Sequence, residues 1–119
     1  MPPVKIINLS KNTVLAENAE PADNFFRRLI GLMGSPCLKA GEGLILKPCN
    51  SIHTFFMRFP IDVAFIDREN KIVKIYPCLP AWRLSGIFFN SALCLELPAG
   101  TLAITRSQAG DTIQLANNP

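Results

Sequence analysis

Short runs of apolar residues, many of them alternating with polar ones, recur along most of the chain and predict β-strands. Val4–Asn8 and Thr13–Glu17 flank a turn-rich tetrad and predict a hairpin. Ile61–Asp67 alternates in hydrophobicity and turns at residues 68–70 into the β-branched run Lys71–Tyr76, which predicts another strand pair. Further elements are predicted at four places: strands over Gly43–Leu46, Leu93–Leu97 and Thr112–Leu115, and a short helix over Thr101–Ser107.

One segment has the periodicity of a helix. Its large apolar residues recur at spacings of three and four, which predicts an amphipathic helix over Pro21–Gly34. Pro21 suits the first turn of such a helix. The residues on its apolar face are Phe25, Phe26, Leu29, Ile30 and Met33.

Strands outnumber helices, and no alternating βαβ pattern calls for a parallel sheet. The predicted fold class is therefore α+β and mainly β. It is a small, partly closed antiparallel β-barrel or sandwich with one main helix and one or two short helical turns. At 119 residues, the whole chain (1–119) is expected to form one domain.

The only histidine, His53, lies in an aromatic-rich stretch that ends at Pro60. Strand alternation fails from residue 52 to 59, because both alternating sets mix apolar and polar side chains. A helical arrangement, capped by Asn50 or Ser51 and ended by Pro60, separates them better. It predicts one or two helical turns that bury three phenylalanines and present four side chains on a common side: His53, Thr54, Met57 and Arg58.

Asp62 follows this segment, and a carboxylate buried there needs partners. It could clamp backbone N–H groups of the preceding turn, or it could orient His53 as an acid or base. His53 itself is interpreted as a hydrogen-bonded structural residue, as a ligand contact or as a metal ligand. Thr54 is interpreted as a structural hydroxyl rather than a nucleophile, and a reactive Cys49–His53 pair stays open.

Residues 80–90 form a long loop with the only tryptophan, Trp82, beside an arginine. Such a loop either covers one end of the barrel or acts as a lid or a partner surface, with Phe88 and Phe89 as contacts. Together with the central segment it defines one candidate binding site: Asn50, His53, Thr54, Met57, Arg58, Asp62 and Trp82.

Charge and cysteine spacing narrow the classes of function. Twelve basic and nine acidic residues give a net charge of +3, and the basic ones are dispersed, which argues against a nucleic-acid interface. Cysteines 37, 49, 78 and 94 lack metal-site spacing and are expected to be mostly small buried apolar side chains. Two disulfides stay open for an exported protein. No cofactor and no metal site are predicted.

The N-terminal residues lack a charged region followed by an apolar one, as a signal peptide would have. The longest uncharged apolar run, Leu84–Leu95, is interrupted by polar residues and glycine and is too short to span a bilayer. These features predict a cytoplasmic protein without a membrane span.

Five sequence segments together resemble the bacterial and archaeal family called domain of unknown function 192, over roughly residues 5–115. The longest is the string from Asn50 to Asp67, which contains Ile-His-Thr-Phe-Phe-Met-Arg-Phe-Pro-Ile-Asp. The others are Gly31-Leu32-Met33-Gly34, Gly41-Glu42-Gly43-Leu44, Leu95-Glu96-Leu97-Pro98-Ala99-Gly100 and Gly110-Asp111. The resemblance implies a small strand-rich α and β domain with no established activity. Many such proteins carry an export leader, which is not recognised in this chain.

Three functions are compatible with this pattern. The first is a non-catalytic module that binds a small polar ligand or a partner protein. The second is a hydrolase-like enzyme in which His53, oriented by Asp62, activates water. The third is an accessory protein that docks on a partner through the Trp82–Phe89 loop. The first is the one that the sequence favours.

Overall fold

The computed structural model describes residues 4–21, 38–54 and 59–117. Within them it has seven strands and one short helix. In chain order they are β1 (Val4–Asn8), β2 (Thr13–Pro21), β3 (Glu42–Leu46), β4 (Ile61–Asp67), β5 (Ile72–Leu79), β6 (Ser91–Pro98), α1 (Thr101–Ile104) and β7 (Ile113–Asn117).

The seven strands form one curled sheet in the order β5-β4-β6-β3-β2-β1-β7. The two outer strands approach each other at one end, where Lys71 and Thr112 form an isolated bridge. Nearby, the Ile113 N–H donates to the Asn70 carbonyl at 2.7 Å and the Gly110 N–H to the Ile72 carbonyl at 2.8 Å. The sheet is thus a half-barrel, which confirms the predicted mainly β, partly closed architecture.

All neighbouring strands are antiparallel except β2 and β3, which run parallel. Parallel neighbours require a crossover of a dozen or more residues. The chain between Pro21 and Glu42 is long enough to supply one. The prediction of a purely antiparallel sheet is therefore wrong at this one pair.

Side chains alternate between two apolar clusters on the two faces of the sheet. The first cluster fills the inside of the curl and takes residues from every strand and from Leu102 of α1. The second lies on the opposite face of the central strands, and its sheet residues are Leu46, Ile61, Val63, Phe65, Leu79 and Cys94. Ile52 and Phe59 cover this second cluster from outside the sheet.

The predicted strands are confirmed, with shifts of a few residues at their ends. The largest difference is β2, which continues to Pro21, where it pairs with Ile45. Pro21 therefore ends a strand and does not begin a helix. The rest of the predicted helix over Pro21–Gly34 lies outside the described residues.

Among the described cysteines, Cys94 is completely buried, as expected, whereas Cys49 and Cys78 are not. Cys49 and Cys94 form a disulfide with their Cα atoms 5.6 Å apart. The sheet register explains the pairing, because Cys94 lies opposite Leu46 at the end of β3 and Cys49 follows three residues later. Cys78 is exposed and not disulfide-bonded, so it is not a buried apolar side chain either. Cys37 lies outside the described residues.

None of the helices in the described ranges is long and apolar enough to cross a membrane.

A buried polar network lies at the turn of the β1–β2 hairpin, at the same end of the sheet as the bridge between Lys71 and Thr112. The Asn8 side-chain amide donates to Ser107 Oγ and to Asp111 Oδ2, both at 2.9 Å. Lys11 Nζ lies 2.9 Å from Asp111 Oδ1, and the Gln108 N–H donates to Oδ2 at 3.0 Å. This network ties the hairpin turn to the connection between α1 and β7.

Because of Asp111, the stability of the fold is expected to depend on pH. Burial acts to raise this pKa, but the hydrogen bonds from Asn8, Lys11 and the Gln108 N–H, with the charge of Lys11, lower it below its ordinary value. The ionised carboxylate therefore stabilises the fold above the unfolded-state pKa of an aspartate, about 3.9. That contribution is lost as the pH falls through the lower folded-state pKa.

We expect Asp111→Asn to be less stable than the wild type near neutral pH, with a difference that shrinks as the pH falls below about 4. Urea unfolding at a series of pH values measures it. Glu69→Gln, which removes an exposed carboxylate, is the control and should follow the wild-type curve. A difference for Asp111→Asn that is constant with pH would contradict the prediction.

Candidate functional site

The central segment is extended over residues 50–54 and pairs with the 80–90 loop. The N–H groups of Trp82, Ser85 and Phe88 donate to the carbonyls of Thr54, Ile52 and Asn50 at 2.8–2.9 Å. The Thr54 N–H donates in turn to the Arg83 carbonyl at 2.9 Å, and His53 forms an isolated bridge with Leu84. We call these paired segments, residues 50–54 and 82–88, the ladder.

The prediction of helical turns that start at Asn50 or Ser51 is thus wrong for residues 50–54. Their backbone groups are hydrogen-bonded to a segment about thirty residues later in the chain, which a local periodicity test does not detect. The second half of the predicted turns, residues 55–58, lies outside the described residues.

Thr54 fastens one end of the ladder. Its side chain is fully buried. Its hydroxyl donates to the Pro80 carbonyl at 2.6 Å and accepts the Arg83 N–H at 2.8 Å. Both hydrogen-bonding capacities of the hydroxyl are thus used within the fold, in keeping with the structural interpretation of this residue.

The opposite end of the ladder is held against the sheet by apolar and aromatic contacts. Phe88 packs on Phe65 and Tyr76, with ring centroids 4.8 and 6.1 Å away. The Tyr76 hydroxyl accepts the Gly86 N–H at 2.9 Å, and Ser85 Oγ accepts the Ile52 N–H at 2.8 Å. The ladder therefore covers the second apolar cluster.

Cys49 attaches the start of the ladder to β6. In addition to the disulfide with Cys94, its N–H donates to the Ala92 carbonyl at 3.3 Å, and its carbonyl accepts the Ser91 hydroxyl at 2.9 Å. Cys49 is half-buried, whereas Cys94 is completely buried. The bonded pair cannot act as a nucleophile beside His53 while the disulfide is intact.

Asp62 lies apart from the ladder. Its carboxylate is fully buried and accepts three backbone N–H groups: Cys78 at 2.8 Å, Gly100 at 3.1 Å and Leu102 at 2.7 Å. Strand alternation places it on the inner face with Ala64 and Ile66, and the ladder lies on the outer face. Asp62 therefore fixes the start of α1 and the end of β5, and these partners are neither the preceding turn nor His53.

The remaining predicted site residues divide into two groups. Asn50 is exposed and contributes its carbonyl to the ladder, His53 is half-buried beside Leu84, and Trp82 is exposed. Met57 and Arg58 lie outside the described residues. The structure thus brings Asn50, His53, Thr54 and Trp82 together and separates them from Asp62.

Four large apolar side chains on the 80–90 loop point into solvent. Their exposed fractions are 56% for Trp82, 68% for Leu84, 61% for Ile87 and 85% for Phe89. We call these four residues the apolar ridge. The sequence indicated Trp82 and Phe89 on this loop but not Leu84 and Ile87, and it grouped Phe89 with Phe88, which packs against the second cluster. The sequence alone does not tell which apolar residues of an irregular loop face the core.

The loop that carries the apolar ridge and the segment paired with it contain basic side chains and no acidic ones. Lys47 and Arg83 are exposed, and residues 47–54 and 80–90 contain no acidic side chain. Within the described ranges, no group of three or more histidine, cysteine, aspartate or glutamate residues is placed to hold a metal ion.

A buried carboxylate that was not predicted as a site residue lies on β6. Glu96 is 1% exposed and sits opposite Val63 in the centre of the sheet. Alternation with the inward residues Leu95 and Leu97 turns it toward the second cluster. The sequence could have indicated this buried carboxylate, because Glu96 is the only charged residue in an apolar strand.

Comparison with known proteins gives both sequence and structural relatives. The family model described as Uncharacterized ACR, DUF192, matches residues 6–115. UPF0127 proteins of Thermococcus sibiricus and Pyrococcus abyssi are each 32% identical to this chain, over 112 and 115 residues. These alignments cover 91% and 92% of this chain and 72% and 95% of the two proteins.

Two crystal structures share the fold. A protein of unknown function from Novosphingobium aromaticivorans matches with a TM-score of 0.77 at 19% identity, covering 94% of this chain and 83% of that one. A candidate transcription regulator from Sinorhizobium meliloti gives a TM-score of 0.74 at 22% identity, covering 94% and 91%. At these identities the likeness concerns the fold alone.

The Thr54 hydroxyl generates a stability prediction. Thr54→Val keeps the shape of the side chain but leaves the Pro80 carbonyl and the Arg83 N–H without their side-chain partner. We expect a loss of about 1–3 kcal/mol in the free energy of unfolding. Urea unfolding followed by circular dichroism measures it, with Thr54→Ser, which keeps the hydroxyl, as the matched variant. Equal losses in both variants would show that the hydroxyl contributes nothing.

Proposed function

We propose that this chain, which belongs to the uncharacterized DUF192 family, is a non-catalytic binding module that docks a partner protein through the apolar ridge. The observation that carries the proposal is the exposure of four large apolar side chains on one loop. Single exposed apolar residues are ordinary on protein surfaces, whereas groups of them mark interaction sites.

The composition of the ridge is that of an interface centre. Tryptophan, phenylalanine and arginine are enriched in the centre of protein interfaces, and hot spots are enriched in tryptophan, tyrosine and arginine. Trp82, Arg83 and Phe89 supply these residue types within eight positions.

The backbone beneath the ridge is already ordered. The N–H groups of Trp82, Arg83, Ser85, Gly86 and Phe88 all donate hydrogen bonds to other parts of the chain. A loop that is fixed before binding loses little conformational freedom when a partner arrives, which favours affinity.

The charge around the ridge indicates the chemistry of the partner. Exposed Lys47 and Arg83, with no acidic residue in either paired segment, favour an apolar segment of a partner protein flanked by acidic side chains. A membrane surface is less favoured, since peripheral binding there usually combines apolar residues with many basic ones.

The two alternative functions receive less support from the geometry. A pocket for a small polar ligand would need the Thr54 hydroxyl and the Asp62 carboxylate, and both are engaged by backbone groups. A hydrolase would need Asp62 beside His53, but the two lie on opposite sides of the sheet.

Selection from a displayed library of random peptides on the immobilised protein tests the proposal. We expect the enriched peptides to carry apolar residues flanked by acidic ones. Synthetic copies should shift the fluorescence emission of Trp82, the only tryptophan, to shorter wavelength as they cover it. Leu84→Ser and Phe89→Ser should each weaken this binding by about tenfold or more.

Ile104→Ser is the matched control, because Ile104 is 83% exposed but lies on α1, whose Leu102 packs in the first cluster rather than the second. It should bind the peptides as the wild type does. Peptides that bind the Leu84 and Phe89 variants equally well would overturn the proposal. So would an emission shift produced only by anionic lipid vesicles, or only by raising the concentration of the protein itself.

A further inference from the structure

We infer that the Cys49–Cys94 disulfide makes the docking surface responsive to redox conditions, so that reduction loosens the ladder and weakens binding by the apolar ridge. This inference rests on the proposed function, and it names the regulation of the same surface.

The apolar ridge is connected to the sheet through the ladder, and the ladder begins at Cys49. Most backbone hydrogen bonds of the loop that carries the ridge are made with residues 50–54. Residues 50–54 follow directly on Cys49, which the disulfide joins to the middle of β6. The disulfide therefore adds a covalent cross-link from β6 to the segment that positions the docking loop.

Without the disulfide, two hydrogen bonds hold Cys49 to β6, from its N–H to Ala92 and from Ser91 Oγ to its carbonyl. The first is long, at 3.3 Å. Residues 47, 48, 50 and 51 around it are exposed to water, which competes for such bonds. Cys94, in contrast, is held between β3 and β4 and does not depend on the bridge.

The two sulfurs differ in their access to a reductant. Cys94 is completely buried and Cys49 is half-buried, so an attacking thiolate would approach the bridge from the side of Cys49. The thiolate of a dithiol bonds to Cys49 Sγ while the bond between the two protein sulfurs breaks, and Cys94 leaves as a thiolate that takes up a proton. The second thiol of the reductant then displaces Cys49. The dithiol ends as a disulfide, and both cysteines end as thiols.

The redox conditions of the compartment decide whether this reduction occurs. Disulfides of reducing compartments are mostly transient and act in catalysis or redox sensing. For the cytoplasmic location that the sequence predicts, the bridge would be open to reduction by a protein dithiol, and its state would follow the redox conditions of the cell.

Hydrogen exchange of backbone amides in the full chain, oxidised and after reduction with dithiothreitol, tests the inference. We expect exchange at the Trp82, Arg83, Ser85 and Phe88 amides to become about tenfold faster or more on reduction, while the amides of β1 and β7 keep their protection. Cys49→Ser should exchange like the reduced protein without dithiol. Cys78→Ser, which changes an exposed cysteine outside the disulfide, should behave like the wild type in both states.

Binding of the selected peptides, followed by Trp82 emission, should weaken by about fivefold to tenfold in the reduced protein. Unchanged ladder exchange on reduction would overturn the inference and leave the docking proposal intact. Faster exchange throughout the sheet would also overturn it, because the bridge would then stabilise the whole fold rather than the ladder. If no peptide binds in either state, the docking proposal fails, and the exchange measurement still decides whether the disulfide controls the ladder.

Discussion

The central strands β4 and β6 are buried on both faces, and the rest of the structure depends on this constraint. Ile61–Ile66 and Leu93–Leu97 are continuous buried runs. The inner face of these strands is covered by the curl of the sheet itself and by Leu102. The outer face needs a separate cover, and the ladder supplies it through Ile52 and Phe88. The ladder residues that cover the core therefore also support the exposed loop.

The strands were predictable from sequence because their signals are local. Alternation and β-branched runs gave β1 and β4 with their observed bounds, and turn residues separated β4 from β5. The ladder was not predictable, because residues 50–54 are shaped by hydrogen bonds to residues 82–88. The sequence left disulfides open but could not pair Cys49 with Cys94, since this pairing follows from the register of β3 against β6.

The structure places part of the predicted site in the ladder. Sequence reasoning identified both segments of the ladder, with His53, Thr54 and Trp82 among its residues. It assigned chemistry to polar groups that the fold uses for support, since the partners of Asp62 lie 16 to 40 residues away along the chain. A buried carboxylate attracts a functional interpretation, but its partners decide its role, and those partners are set by the tertiary structure.

The half-barrel leaves β5 and β7 as outer strands, joined at one end by the bridge between Lys71 and Thr112 and the hydrogen bonds beside it. Open strand edges invite pairing with strands of other molecules, and proteins suppress this with proline and charged side chains. β5 carries both, since Pro77 has no N–H to donate and Lys74 projects from the same strand into solvent. Strand addition along this edge, and the fibrous aggregation it can seed, is therefore disfavoured.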